Sequence, residues 1–179
     1  AVLTMAAELP PTLITTYLQM ADRSEFRPAF LPDDDSRSLI VMARPDIAYY
    51  RFLYGAVGGP WRWRDRLLLT DEALAALLSE PGTSVHVLYD QGAPAGYFEL
   101  AARAGEVEIV YIGLRPEFVG RGLGKHLLSC GIAEAWRQGA RRVWLHTCNL
   151  DAPQALPNYL ARGFTVYEVR EQPMPDRYA

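Results

Sequence analysis

The chain has 179 residues, 50% of them apolar, and 18 basic against 21 acidic side chains give it a net charge of −3. That length suits one well-buried domain and is short for two, so a single domain over residues 1–179 is expected. The acidic balance argues against nonspecific nucleic-acid binding, which needs a concentrated basic face, and no apolar run is long enough for a membrane-spanning helix.

Residues 1–10 read as loose, ending at Pro10-Pro11, and the opening AVLTMAAELPPTL lacks the pattern of a secretory signal, so the expected compartment is cytoplasmic. Thr12–Met20 reads as a strand, followed by a polar loop with Pro28, Pro32 and three consecutive aspartates. Ser38–Ala43 is a second strand, and the two are expected to pair antiparallel across the long connection. In Asp46–Val57, Ile47, Tyr50, Leu53 and Tyr54 recur at helical spacing, with Asp46 as N-cap and Gly58-Gly59 as the stop. Thr70 then caps a second helix, Asp71–Ser79. The link between the helices carries Trp61 and Trp63, which either line a pocket or pin the loop to the core.

Val85–Tyr89 and Ala95–Ala101 flank Gln91-Gly92 as a hairpin, and Ala104-Gly105 turns into a third strand, Val107–Leu114. A glycine-rich loop comes next, Val119-Gly120-Arg121-Gly122-Leu123-Gly124, opening a helix from Gly122 to Arg137 with Leu127, Leu128, Ile132, Ala135 and Trp136 inward. Three glycines let successive N–H groups converge, and a helix start adds unpaired N–H groups and the positive end of its dipole. The loop therefore suits an anion such as phosphate, with Arg121 and Lys125 beside it. It is not a dinucleotide fingerprint, because the glycines run G-x-G-x-G. Nor is it a Walker loop, because Val119 and His126 occupy the first-glycine and hydroxyl positions.

Arg142–Cys148 is the next strand, and the strand–helix–strand unit requires a parallel pair through a right-handed crossover. Asp151–Arg162 reads as a helix whose prolines, Pro153 and Pro157, delay its regular part to about Ala155. Gly163 closes it, Phe164–Arg170 is a final strand, and residues 171–179 read as an irregular tail. With no further strand evident, the N-terminal one is expected to extend the sheet. Cys130 and Cys148 form neither a disulfide framework nor a zinc pattern and are expected to be reduced. His86, His126 and His146 show no ligand spacing, so no metal is expected.

The loop resembles motif A of the GNAT superfamily of acyl-CoA-dependent N-acetyltransferases, [QR]-x-x-G-x-[GA], with Val119 departing at the first position. Downstream, Ala155, Tyr159, Gly163 and Phe164 fall on that superfamily's motif B, N-x-x-A-x-x-x-Y-x-x-x-G-F. Ala152 replaces the asparagine, a role Asn149 could take over. The resemblance covers about residues 84–170, the expected acyl-CoA-binding core, and implies an α/β fold: a mixed sheet of about six or seven strands flanked by about four helices.

It further implies acetyl transfer from acetyl-CoA, as cosubstrate, to a primary amine of a small molecule or peptide, by direct attack in a ternary complex. A non-catalytic acyl-CoA sensor is the alternative, and a homodimer is compatible with either. Carried over, the amides of Val119, Gly120, Arg121, Gly122, Gly124 and Lys125 hold the diphosphate, and the backbones of Ile112 and Leu114 hold the pantetheine arm where the two parallel strands splay. Glu108, fourteen residues before Gly122, matches the glutamate base of the histone-acetylating branch; Glu106 and Glu99 are alternatives. Tyr159 is expected to protonate the thiolate. Trp61, Trp63, Tyr50 and Tyr54 are expected to contact the acceptor, and the negative charge favours a cationic amine. His146 and Cys148, two apart on one strand face, form a rival nucleophilic pair.

Overall fold

Alternating side chains on long strands, with apolar residues on both faces, need cover on both sides, and the chain supplies it. The computed structural model describes residues 8–179. Its strands are β1 (Thr12–Met20), β2 (Arg37–Val41), β3 (Thr83–Asp90), β4 (Ala93–Arg103), β5 (Glu106–Leu114), β6 (Arg142–Cys148) and β7 (Thr165–Pro173). They form one mixed sheet in the order β2-β3-β4-β5-β6-β1-β7. Four α-helices flank it, α1 (Ile47–Gly58), α2 (Asp71–Leu78), α3 (Leu123–Arg137) and α4 (Ala155–Ala161).

Strand β4 shows how the layers arise. Tyr97 points into the cluster under α1 and α2, with Tyr50, Leu53, Tyr54 and Leu74. Phe98 and Leu100 point the other way, into the cluster under α3 and α4, with Leu127, Leu128, Ile132 and Trp136. The local signals act as the residue types require: the Asp46 carboxylate accepts from Tyr49 N at 2.9 Å, and the Thr70 hydroxyl accepts from Ala73 N at 3.2 Å. Pro157 falls in the first turn of α4, where its missing N–H has no intrahelical acceptor to lose. Residues 8–10 have no regular structure, and residues 1–7 lie outside the described part.

Two expectations are corrected. Strands β1 and β2 do not pair: β2 lies against β3 at one edge, while β1 is inserted between β6 and β7. The connection between them crosses α3, held by Ala29 N to Ser129 Oγ at 2.9 Å and Leu31 N to His126 Nδ1 at 3.0 Å, which carries the chain to the far side of the sheet. The final strand also runs to Pro173, three residues beyond Arg170, because β1 offers it partners as far as Thr12. Strand β1 does add to the sheet, as expected, and takes an interior place in it.

The parallel pair is the feature that positions the site. Strands β5 and β6 pair over only three positions, Glu106↔Arg142, Val107↔Val143 and Glu108↔Trp144, and then part. At the same place the β4–β5 register shifts, Leu100 facing Ile109 while Glu99 faces Tyr111, so Val110 is an extra residue. Such a bulge bends the strand that carries it and re-aims the rest of that strand. Beyond it, β5 keeps β4 as partner on one side, and β6 keeps β1, which leaves a wedge between β5 and β6.

Gly163, between α4 and β7, has φ +107°, and a Cβ there would lie 2.0 Å from the Glu25 carbonyl oxygen. Gly163→Ala is expected to cost about 2–4 kcal/mol, combining left-handed strain with the clash. A lowered urea midpoint with an unchanged slope is the measurement that checks it.

Candidate active site

The wedge opens into a cavity of about 1020 Å³ whose walls come from both faces of the sheet. The floor on one side is β5. Arg115 N donates to Ala95 O at 2.8 Å, which fixes the phase of the β4–β5 ladder. By the alternation of an antiparallel pair, the N–H and C=O of Ile112 and Leu114 then face away from β4, into the wedge. Both residues line the cavity. They present a row of unpaired backbone groups to which an extended, amide-bearing ligand could add like a strand.

At the end of that row stands the glycine loop. Gly120 and Gly122 take φ +89° and +76°, left-handed values that turn successive amides toward one side. The Val119 amide is used inside a turn, donating to Pro116 O at 3.2 Å, whereas those of Gly120, Arg121 and Gly122 meet no acceptor among the described residues. No side chain caps α3, so its first-turn amides and dipole are also available. Val119, Gly120, Gly122, Gly124 and Lys125 line the cavity. Arg121 does not: its guanidinium donates to Glu117 O at 3.2 Å, lies 3.8 Å from Asp90 and covers the Phe118 ring, all on the outer side of the loop. Only its backbone can serve an anion.

Tyr159 of α4 reaches the cavity beside the loop. It is 9% exposed, its ring meets Phe164 edge-on, and its hydroxyl has no hydrogen bond among the described residues. Burial, aided by the nearby Asp151 carboxylate, pushes its pKa up, so it is a neutral donor. Asn158, one residue earlier, also lines the cavity and donates to Gly124 O at 3.4 Å, tying α4 to the start of α3. Asn149, the suggested stand-in for the motif B asparagine, is committed elsewhere. It clasps β1, accepting from Ile14 N and donating to Thr12 O, both at 3.0 Å.

The opposite wall comes from the α1–α2 link and the C-terminal tail. Trp61, Trp63 and Tyr54 line it, with Trp63 packed 4.9 Å from Tyr111 between ring centroids. Tyr50 does not reach the cavity; it is fully buried and its hydroxyl donates to Glu99. The tail, read as irregular, folds onto the link: Arg62 Nη1 donates to Tyr178 O at 2.8 Å and Arg177 pairs with Asp65 at 2.8 Å. Arg177 and Tyr178 thereby join the lining.

The three candidate bases separate by placement. Glu99 is 1% exposed and sealed by Tyr50 and by Arg66 at 2.7 Å. Glu106 pairs with Arg142 at 3.0 Å at the closed end of the wedge. Glu108 alone stands where the strands part. It does not line the cavity itself, yet its carboxylate is 3.9 Å from Nε2 of His146, which does. Burial, then the charge of Glu99, raises the Glu108 pKa. Burial lowers that of His146, outweighing Asp151 and Asp65, which favours the neutral ring.

Sequence reasoning weighed His146 only as a partner for Cys148, since its nearness to Glu108 depends on the Glu108↔Trp144 register. The nucleophilic pair is disfavoured: burial, then Asp151, pushes the Cys148 thiol up to about 11. No group of three or more metal-ligating side chains occurs among the described residues.

A model of the acetyltransferase (GNAT) family matches residues 48–164. Mycothiol acetyltransferase of Corynebacterium efficiens is 33% identical over 111 residues, 62% of this chain and 36% of that protein. A GCN5-related N-acetyltransferase from Sphaerobacter thermophilus superposes with TM-score 0.66 at 18% identity, covering 92% of this chain and 52% of the other. An aminoglycoside acetyltransferase from an uncultured soil metagenomic sample superposes at 0.59 and 16% identity, covering 72% and 88%. The chain thus spans about a third of the curated relative's length and about half of the first of these structures.

With both thiols held near 11, Cys130 by burial as well, about a thousandth of either is thiolate at pH 8. Iodoacetamide should therefore label the folded chain far more slowly than free cysteine, and the labelled mass should rise steeply with pH. Rapid labelling of Cys148 at neutral pH would restore it as a nucleophile.

Proposed function

The chain belongs to the acetyltransferase (GNAT) family, and from that premise we propose that it moves an acetyl group from acetyl-CoA to a primary amine by direct attack within a ternary complex. The observation that carries this reading is the wedge with a free strand edge on one side and a loop of unengaged amides at its end. Those two features suit the two recognisable parts of a coenzyme A chain, the amide-bearing arm and the diphosphate. The relatives' descriptions as acetyltransferases support acetyl as the group transferred.

Acetyl-CoA supplies an activated thioester, and the chain's own residues have three tasks. Backbone groups of Ile112 and Leu114 align the arm, while the amides between Gly120 and Lys125 fix the diphosphate end. His146, neutral and facing the cavity, takes the proton that the amine must lose, and Glu108 behind it stabilises the resulting imidazolium. The amine nitrogen bonds to the carbonyl carbon, the C–S bond breaks, and Tyr159 gives its proton to the departing sulfur. Trp61, Trp63 and Tyr54 flank the acceptor. An interior reaction compartment, the cytoplasm, is part of the same proposal.

Thiol release from acetyl-CoA across small amines, aminoglycosides and peptides tests the reading. Tyr159→Phe should lower kcat about 10²- to 10⁴-fold with little change in acetyl-CoA affinity. Coenzyme A binding without release with any acceptor would instead mark a sensor.

His146→Gln and Glu108→Gln should each cut kcat/KM about 10²-fold or more, and the double variant should be little worse than the poorer single. Additive losses would show that the two act separately.

A further inference from the structure

Away from the glycine loop and its Lys125, the cavity is lined by five charged residues, Arg62, Arg64, Asp65 and Arg177 on the link and tail and Asp151 after β6. Both acids are already engaged. Asp65 pairs with Arg177 at 2.8 Å, and Asp151 accepts from the Thr147 hydroxyl at 2.5 Å and the Cys148 amide at 3.0 Å. Neither is left to attract a cationic substrate, and Glu99 and Glu106 are held by Arg66 and Arg142. The cationic amine expected from the net charge therefore finds no free acid on this wall. Its surplus charge is positive.

The surplus is concentrated at one residue. Arg62 is occupied in holding the Tyr178 carbonyl, and Arg177 in holding Asp65. Arg64 is half-buried on the same wall and joins no ion pair among the described residues. Its one hydrogen bond there runs from Nη1 to the carbonyl of its neighbour Trp63, at 3.4 Å. A guanidinium has five N–H donors in a planar fork that matches the oxygens of a carboxylate or phosphate. On either side of Arg64 in sequence, Trp63 and Asp65 are fixed by Tyr111 and Arg177, so the link presenting it is anchored at both ends.

We propose that the acceptor amine belongs to a molecule that also carries an anionic group, a carboxylate or a phosphate, and that Arg64 binds that group while Trp61 and Trp63 cover its apolar part. This rests on the acetyl-transfer reading and adds the acceptor's chemical class. Arg64 sets specificity and takes no part in proton transfer.

The test uses matched amines differing only in the anion: L-phenylalanine against phenethylamine for carboxylate, and glucosamine 6-phosphate against glucosamine for phosphate. Each pair is followed by thiol release from acetyl-CoA and, without turnover, by tryptophan fluorescence of the chain saturated with coenzyme A. In at least one pair the anionic member should be favoured about tenfold or more, in kcat/KM and in Kd. Arg64→Gln should bring that ratio to within about twofold, and Arg64→Lys should restore part of it. Parity in both pairs, or a preference that survives Arg64→Gln, would overturn the proposal. If no amine releases thiol, the binding ratio alone decides. A preference lost in Arg64→Gln would then keep the anion site and remove the transfer reading, whereas thiol release with parity would do the reverse.

Discussion

Everything in the site depends on a parallel strand pair that does not stay paired. A backbone N–H or C=O removed from water without a partner is costly, so strands that begin a ladder ordinarily complete it. Here β5 and β6 stop after Glu108↔Trp144, with six further residues of β5 still extended. The extra residue at Val110 accounts for the change of direction, and each strand is stabilised from its other side, β5 by β4 and β6 by β1. The wedge is thus held open by neighbours that cannot follow one another.

Two consequences meet at its mouth. The crossover from β5 to β6 is short and must cover the sheet, so α3 begins where β5 ends and aims its amide-rich start into the opening. The side chains nearest the last pair, Glu108 and His146, come from the two diverging strands and face each other across the gap. The uncapped start of α3 and the close approach of Glu108 to His146 therefore arise from the same departure of two strands. The α1–α2 link and the C-terminal tail complete the far wall through Arg62, Asp65 and Arg177.

What could be read from the amino-acid order was whatever is decided locally. The caps at Asp46 and Thr70, the delayed start of α4 after Pro153, and the glycine loop at the head of α3 depend on neighbours in sequence. The seat of β1 does not. Nothing in Thr12–Met20 tells β6 and β7 from β2 as partners, because the choice is made by a connection that crosses α3. Tyr50 and Tyr54 make the same point within one helix. They share an inward face, but only Tyr54 lies over the wedge, and Tyr50 lies over Glu99. Arg121 and Lys125 flank the loop equally in sequence, yet Asp90 and the Phe118 ring draw Arg121 to the outside. Glu108 was singled out by a family resemblance in its separation from Gly122, whereas its closeness to His146 required the register of two strands.

The insertion of β1 between β6 and β7 also bears on how the chain acquires its shape. Strand β1 has both of its partners in residues 142–173, so its edges wait until the chain has been made through β7. Contacts of such high sequence separation slow folding and prolong the interval in which an apolar strand lies open to other chains. In the meantime β3 to β5, joined by tight turns, can assemble with β2, α1 and α2 as an antiparallel unit. Folding would then end with the capture of β1, the event that also fixes β6 in place and opens the cleft.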